Sequence, residues 1–66
     1  MQITVNGRPK TVPDRLTLER LVADQGLAQT ACAAEVNTIL VPKAERDAHT
    51  LADGDIVELV TLVGGG

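Results

Sequence analysis

Aromatic residues are absent from this 66-residue chain, which contains no Phe, Trp or Tyr. Leu, Val, Ile and Ala must therefore build its core. The absence also removes the aromatic side chains on which single-stranded nucleic acids usually stack. The net charge of −3 at pH 7 disfavours a surface that binds phosphate groups. Both features argue against a protein that binds nucleic acid.

Paired cysteines and long apolar runs are missing as well. Cys32 is the single cysteine, so an internal disulfide is excluded and a reducing cytoplasm is the expected location. No apolar run approaches a membrane span, and residues 1–5 lack the basic start and apolar stretch of a signal peptide. We expect one small domain without a membrane anchor, near the lower size limit for a single core.

The chain offers few side chains for catalysis. Cys32 lies in an apolar, Ala-rich segment, where a buried and inert thiol is the commoner case. His49 has no nearby Cys or His, and its neighbour Asp47 alone does not make a metal site. A nucleophile, a base and an orienting group cannot be assembled from these residues. We therefore expect no catalytic residue, no bound cofactor and no metal.

The first half of the sequence predicts a hairpin. Apolar and polar residues alternate over residues 1–5, as in a half-buried strand. Asn6-Gly7 tolerates the positive φ of a type I′ turn. The return strand covers residues 8–12, and Pro9, which lacks a backbone donor, suits the edge of a sheet.

A helix is predicted after this hairpin. Thr17 can cap the free N–H groups of its first turn. Leu18, Leu21 and Val22 follow at the spacing of an apolar helical stripe. Gly26 ends the helix where a left-handed residue is needed.

Strands and turns are predicted for the second half. In order they are a strand over 30–36, a turn at Asn37-Thr38, a short strand over 39–41, a short helical turn within 43–50, a tight turn at Asp53-Gly54-Asp55 and a final strand over 56–63. The helix must cross one sheet face to bury its stripe, and the last strand can pair in parallel beside the first. This order predicts a ubiquitin-like β-grasp of the α+β class, a mixed sheet of four to five strands with one main helix across it.

The final strand separates two sets of side chains. Three residues would face the core: Val57, Leu59 and Thr61. Val60 and Leu62 would then remain on the outer surface near the chain's end, with Leu40 nearby. We expect these three apolar residues to form a docking patch for partner proteins. The alternative is that they are scattered exposed residues without a role.

Three glycines follow the predicted domain of residues 1–63. Gly64, Gly65 and Gly66 form a thin tail without side chains, whose reactive group is the terminal carboxylate. Glycine lets such a tail thread a narrow channel in another protein. The alternative is a frayed end or a remnant of cloning.

Over its whole length the chain resembles the ThiS family, the sulfur carriers of bacterial thiamin biosynthesis. The resemblance rests on short segments in a fixed order: Met1-Gln2-Ile3, Val36-Asn37, Ile39-Leu40-Val41-Pro42, Asp53-Gly54-Asp55 and the glycine terminus. It implies that a ThiF-type adenylating enzyme uses ATP and magnesium to activate the carboxylate of Gly66. A sulfur donor system then converts the adenylate to a thiocarboxylate, and a ThiG-type thiazole synthase uses that sulfur.

The roles of the tail residues follow from the resemblance. Gly65 gives Gly66 access to the partner enzymes, and Gly64 exceeds the Gly-Gly ending that is the family minimum. Two other readings stay open. One is the small subunit of molybdopterin synthase, with the same chemistry in another pathway. The other is a β-grasp interaction module with an inert tail.

Overall fold

The computed structural model describes residues 1–62 and consists of a five-stranded sheet with one α-helix. Its elements, in chain order, are β1 (Gln2–Val5), β2 (Arg8–Thr11), α1 (Leu18–Asp24), β3 (Cys32–Val36), β4 (Ile39–Leu40), a 3₁₀ turn (Lys43–Glu45) and β5 (Ile56–Thr61). Strand β5 ends two residues before the predicted end of the final strand. Val63 and the glycine tail lie outside the described residues, so the predicted boundary between domain and tail stays a prediction.

The strands lie in the order β2-β1-β5-β3-β4. Strands β1 and β5 pair in parallel, and the other neighbours pair antiparallel. The first and last strands are therefore central neighbours, as predicted from the long crossover between them. This mixed sheet with its single α-helix confirms the predicted β-grasp fold.

Left-handed residues form the two hairpin turns. Asn6 and Gly7 have φ values of 50° and 81° between β1 and β2, as a type I′ turn requires. Asn37 and Thr38 have φ values of 52° and 71° between β3 and β4. The second turn is unusual because Thr38 is β-branched, and such residues rarely adopt a positive φ.

Helix α1 begins and ends near its predicted limits. The side chain of Thr17 accepts a hydrogen bond of 3.2 Å from the backbone N–H of Arg20. The three residues of the predicted stripe are buried. Gln25 is the C-cap, and Gly26 follows with a φ of 78°. No helix among residues 1–62 is long and apolar enough to cross a membrane.

The core lies between α1 and one face of the sheet. It contains only aliphatic side chains, as the lack of aromatic residues predicts: Ile3, Val5, Val12, Leu16, Leu18, Leu21, Val22, Ala34, Val36, Val41, Leu51, Val57 and Leu59. We call the sheet surface that faces away from α1 the outer face. Because side chains alternate along a strand, the residues between the buried ones on β3 and β5 lie on the outer face.

Candidate functional site

The chain approaches the predicted tail along β5. The N–H of Leu62 donates to the carbonyl of Ala31 at 3.0 Å, so pairing with the β3 side of the sheet continues one residue beyond the strand. Gly64, Gly65 and Gly66 lie outside the described residues, and their proposed roles stay predictions. The site in the described part of the chain is therefore the strand that leads to the tail and the surface around it.

Asn6 holds the middle of β5. Its side-chain Nδ2 donates to the carbonyl of Leu59 at 3.2 Å, and its Oδ1 accepts from the N–H of Leu59 at 2.8 Å. The backbone N–H of Asn6 also donates to the carbonyl of Val57 at 2.9 Å. A carboxamide carries the same donor and acceptor types as a peptide group, so Asn6 continues the β1 pairing after the strand has ended.

Asn37 holds the start of β5. Its Oδ1 accepts from the N–H of Ile56 at 3.0 Å, and its Nδ2 donates to Oδ1 of Asp55 at 3.0 Å. Oδ2 of Asp55 accepts from the N–H of Ala52 at 2.8 Å. The sequence predicted only turns at these positions. The side-chain bonds that fix β5 were missed because they join residues far apart in the chain.

The three residues of the predicted docking patch are exposed but do not share one surface. Val60 is 56% exposed on β5 and lies opposite Ala33. Leu40 is 59% exposed and lies opposite Glu35, so both residues are on the outer face. Leu62 is also exposed, but it lines a cavity on the helix side.

Arg46 is a buried residue that the sequence analysis missed. It lies just after the 3₁₀ turn and is only 5% exposed, whereas the sequence predicts only a short helical turn within 43–50. Its Nη2 donates to the carbonyl of Cys32 at 2.7 Å, and its Nη1 lies 3.7 Å from the Cys32 sulfur. Its Nε has no hydrogen-bond partner among the described residues. No local pattern signals this burial, because both sequence neighbours are exposed.

Cys32 and His49 make contacts within the fold. Cys32 was expected to be a buried thiol; it is only partly buried, packs against the core, and its sulfur lies 3.7 Å from Nη1 of Arg46. The carbonyl of His49 accepts from the N–H of Leu18 at 2.9 Å. Within residues 1–62, no group of three His, Cys, Asp or Glu side chains is placed to hold a metal ion.

Comparison with known proteins identifies the family of this chain. The family model of the ThiS family matches residues 3–66. The chain belongs to the ThiS family. The crystal structure of the thiamine biosynthesis protein ThiS from Geobacter metallireducens superimposes with a TM-score of 0.84 at 36% sequence identity, covering 100% of both chains. The ThiS fold therefore extends over the full domain.

Two relatives of different length match the same 66 residues. A thiazole synthase of Paramagnetospirillum magneticum is 32% identical over the whole chain, which spans 20% of that relative's length. An uncharacterized protein, ycf40, of Porphyra purpurea is also 32% identical, and the chain spans 93% of its length. The ThiS-like sequence is thus nearly the whole of the ycf40 protein and one fifth of the thiazole synthase.

Proposed function

We propose that the chain is a sulfur carrier of thiamin biosynthesis, a protein co-substrate rather than an enzyme. The observation that carries the proposal is the ThiS family match over residues 3–66. The similarity to a thiamine biosynthesis protein over 100% of both chains supports the same pathway. It favours thiamin over the molybdopterin pathway, for which the sequence alone left room.

The reacting group in this proposal is the carboxylate of Gly66, in a chain that terminates there. A carboxylate is a poor electrophile, so covalent activation divides one difficult step into two easier ones. The carboxylate attacks the α-phosphate of ATP on a ThiF-type enzyme, which also supplies the magnesium, and pyrophosphate leaves. A thiol reductant releases sulfide from the persulfide of the donor system, and the sulfide displaces AMP, which leaves a thiocarboxylate on Gly66.

The proposed acceptor of the sulfur is a ThiG-type thiazole synthase. The match between this chain and one fifth of a thiazole synthase supports that partner, because it joins the two kinds of sequence in one protein. Gly65 and Gly64 would give Gly66 its reach into both enzymes, since glycine adopts backbone angles closed to other residues.

The structure of β5 suits a strand that presents a reactive end. The side chains of Asn6 and Asn37 fix it at Leu59 and at Ile56. A strand held in this way gives the residues after it a fixed origin, so that less conformational freedom is lost when an enzyme binds them. We propose that the enzymes dock on the outer face, where Val60 and Leu40 are exposed.

Intact mass spectrometry tests the proposal. The chain ending at Gly66 is incubated with a ThiF-type enzyme, ATP, magnesium, cysteine, a cysteine desulfurase and a thiol reductant. We expect a mass gain equal to the replacement of one oxygen by sulfur, and none when ATP is omitted. The Gly66→Glu variant is a matched control that should gain no sulfur, because its terminal side chain is too large for a channel that accepts glycine.

Two outcomes would count against the proposal. No mass gain, with the same enzymes active on a known carrier, would leave an interaction module with an inert tail. A thiocarboxylate that thiazole synthase cannot use, but that a molybdopterin synthase large subunit can, would move the carrier to the other pathway.

A further inference from the structure

A cavity of about 190 Å³ lies beside Arg46 on the helix side of the sheet. Cys32 and Leu62 form part of its wall, and its charged lining residues within 1–62 are Glu19, Lys43 and Arg46. Two cations and one anion leave a positive charge in excess, although the whole chain has a net charge of −3. The cavity is therefore an electropositive site in an acidic protein.

The guanidinium of Arg46 lacks an anionic partner in the described part of the chain. Arg46 is 5% exposed, and the ion pairs found between residues 1 and 62 join other groups. Its Nη2 donates to the carbonyl of Cys32, whereas its Nε has no hydrogen-bond partner there. A buried charge ordinarily has a counter-charge, because its removal from water is costly. This unsatisfied cation in the cavity wall indicates an anionic ligand.

Cys32 supplies a nucleophile in the same wall. It is partly buried, and its sulfur accepts a hydrogen bond of 3.7 Å from Nη1 of Arg46. Reactive cysteines lie in electropositive, partly exposed surroundings of this kind, whereas the sequence alone predicted a buried and inert thiol. A small molecule attached to this sulfur would lie within reach of the guanidinium.

We propose that Cys32 is a site of reversible thiolation by a small disulfide that carries a carboxylate. The thiolate of Cys32 attacks one sulfur of the disulfide, and a new S–S bond forms as the old one breaks. The other half leaves as a thiolate and takes up the proton that Cys32 released. The carboxylate of the bound half pairs with Arg46, and Lys43 provides a second cation. No group in this inference lies beyond Leu62, so it does not depend on the proposed sulfur transfer.

The size of the cavity fits a short carboxylate thiol. A volume of about 190 Å³ equals that of roughly six water molecules in the liquid, and a 3-thiopropionate group has about six non-hydrogen atoms. A disulfide bond of about 2.05 Å followed by two methylene groups lets the carboxylate turn back toward Nη1 of Arg46. That nitrogen lies 3.7 Å from the sulfur of Cys32, so one ligand can contact both groups.

Three disulfides of matched length test the proposal. Dithiodipropionate, hydroxyethyl disulfide and cystamine end in carboxylate, hydroxyl and ammonium groups. Adduct formation is followed by intact mass spectrometry, and each rate is divided by the rate with a capped peptide of residues 30–34 to remove the reagent's intrinsic reactivity. We expect the normalised rate with dithiodipropionate to exceed that with cystamine about tenfold, and a thiol reductant to reverse the adduct.

Substitutions in the cavity wall should change this rate ratio in opposite directions. Lys43→Gln should lower it about threefold and Glu19→Gln should raise it, because they remove charges of opposite sign. Arg46→Met should abolish the preference, and Arg46→Lys should retain part of it. Lys43 and Glu19 are exposed, so their variants decide the test if Arg46→Met does not fold. Lys10→Gln is the matched control, since Lys10 is exposed on β2 and does not line the cavity.

Three results would overturn the inference. Equal normalised rates for the anionic and cationic reagents would show that the cavity does not select an anion. A folded chain that gains no adduct while the peptide reacts would show that Cys32 is inert in the fold. A preference that Lys43→Gln and Glu19→Gln leave unchanged would arise outside the cavity. The sulfur carrier assay contains a thiol reductant, which keeps Cys32 free, so its outcome is independent of these results.

Discussion

Single residues determine how the loops of the domain are held against the sheet and the helix. Arg46 is the plainest case, because a guanidinium is costly to bury unless it is well bonded. It donates to the carbonyl of Cys32, where β3 begins, at 2.7 Å. Its own carbonyl accepts from the N–H of Glu19 in the first turn of α1 at 3.1 Å. Arg46 therefore ties the loop before β5 to both the sheet and the helix.

Arg46→Ala should lower the free energy of unfolding by about 2 kcal/mol, because it removes a charged hydrogen bond and the packing of a long side chain. Urea unfolding followed by circular dichroism measures this change. Arg8→Ala is the control, since Arg8 is exposed on the edge strand β2, and its effect should stay within about 0.5 kcal/mol. Equal effects of the two variants would contradict the structural role of Arg46.

The turn between β3 and β4 carries strain in one residue. Thr38 has a φ of 71°, and a left-handed conformation costs an L-residue roughly 1–2 kcal/mol. Thr38→Gly would create an Asn-Gly turn, which suits the type I′ geometry. After subtraction of the entropy cost of glycine, we expect the variant to be more stable by about 0.5 kcal/mol. A lower unfolding midpoint in a thermal scan would show that Thr38 is not strained.

At the scale of the elements, β5 serves the core and the proposed docking surface at once. Val57 and Leu59 are buried, whereas Ile56, Glu58 and Val60 are exposed. This division follows from the two-residue period of a strand. A substitution on the outer face can therefore alter binding without disturbing the core.

Val60→Asp should weaken binding to the adenylating enzyme while leaving the fold intact. It replaces an exposed apolar side chain on the proposed docking surface with a negative charge, so the affinity should fall by roughly tenfold or more. Ile39→Asp is the control, because Ile39 is 69% exposed but lies opposite Val36, on the helix side of the edge strand. Unchanged binding of Val60→Asp would show that the outer face is not the docking surface.

At the scale of the whole molecule, the sequence predicts the fold better than it predicts the hydrogen bonds between distant residues. The hairpin at Asn6-Gly7, the cap at Thr17 and the parallel pairing of the first and last strands are local or topological signals, and all three are confirmed. The end of β5 was predicted too late, since apolar character continues to Val63 while the strand stops at Thr61. The N–H of Leu62 still donates to the carbonyl of Ala31, and hydropathy alone does not separate such a residue from the strand before it.

The interactions around the candidate site could not be predicted in the same way. The bonds from Asn6 to Leu59 span 53 residues, and those from Arg46 to Cys32 span 14. Such contacts depend on how the elements pack, which a short sequence window does not contain. The roles of Gly66 and its neighbours stay predictions, because they rest on the family resemblance and on sequence order alone.

Tandem mass spectrometry of the C-terminal peptide tests the central claim most directly. After reaction with the adenylating enzyme and the sulfur donor system, we predict that the new sulfur lies on the carboxyl group of Gly66, where it replaces one oxygen. Trypsin cleaves after Lys43 and Arg46, so Cys32 and Gly66 lie on different peptides and the two sites stay distinct. Sulfur found on Cys32, or a Gly66 carboxyl group that is unchanged while a known carrier is converted, would contradict the account.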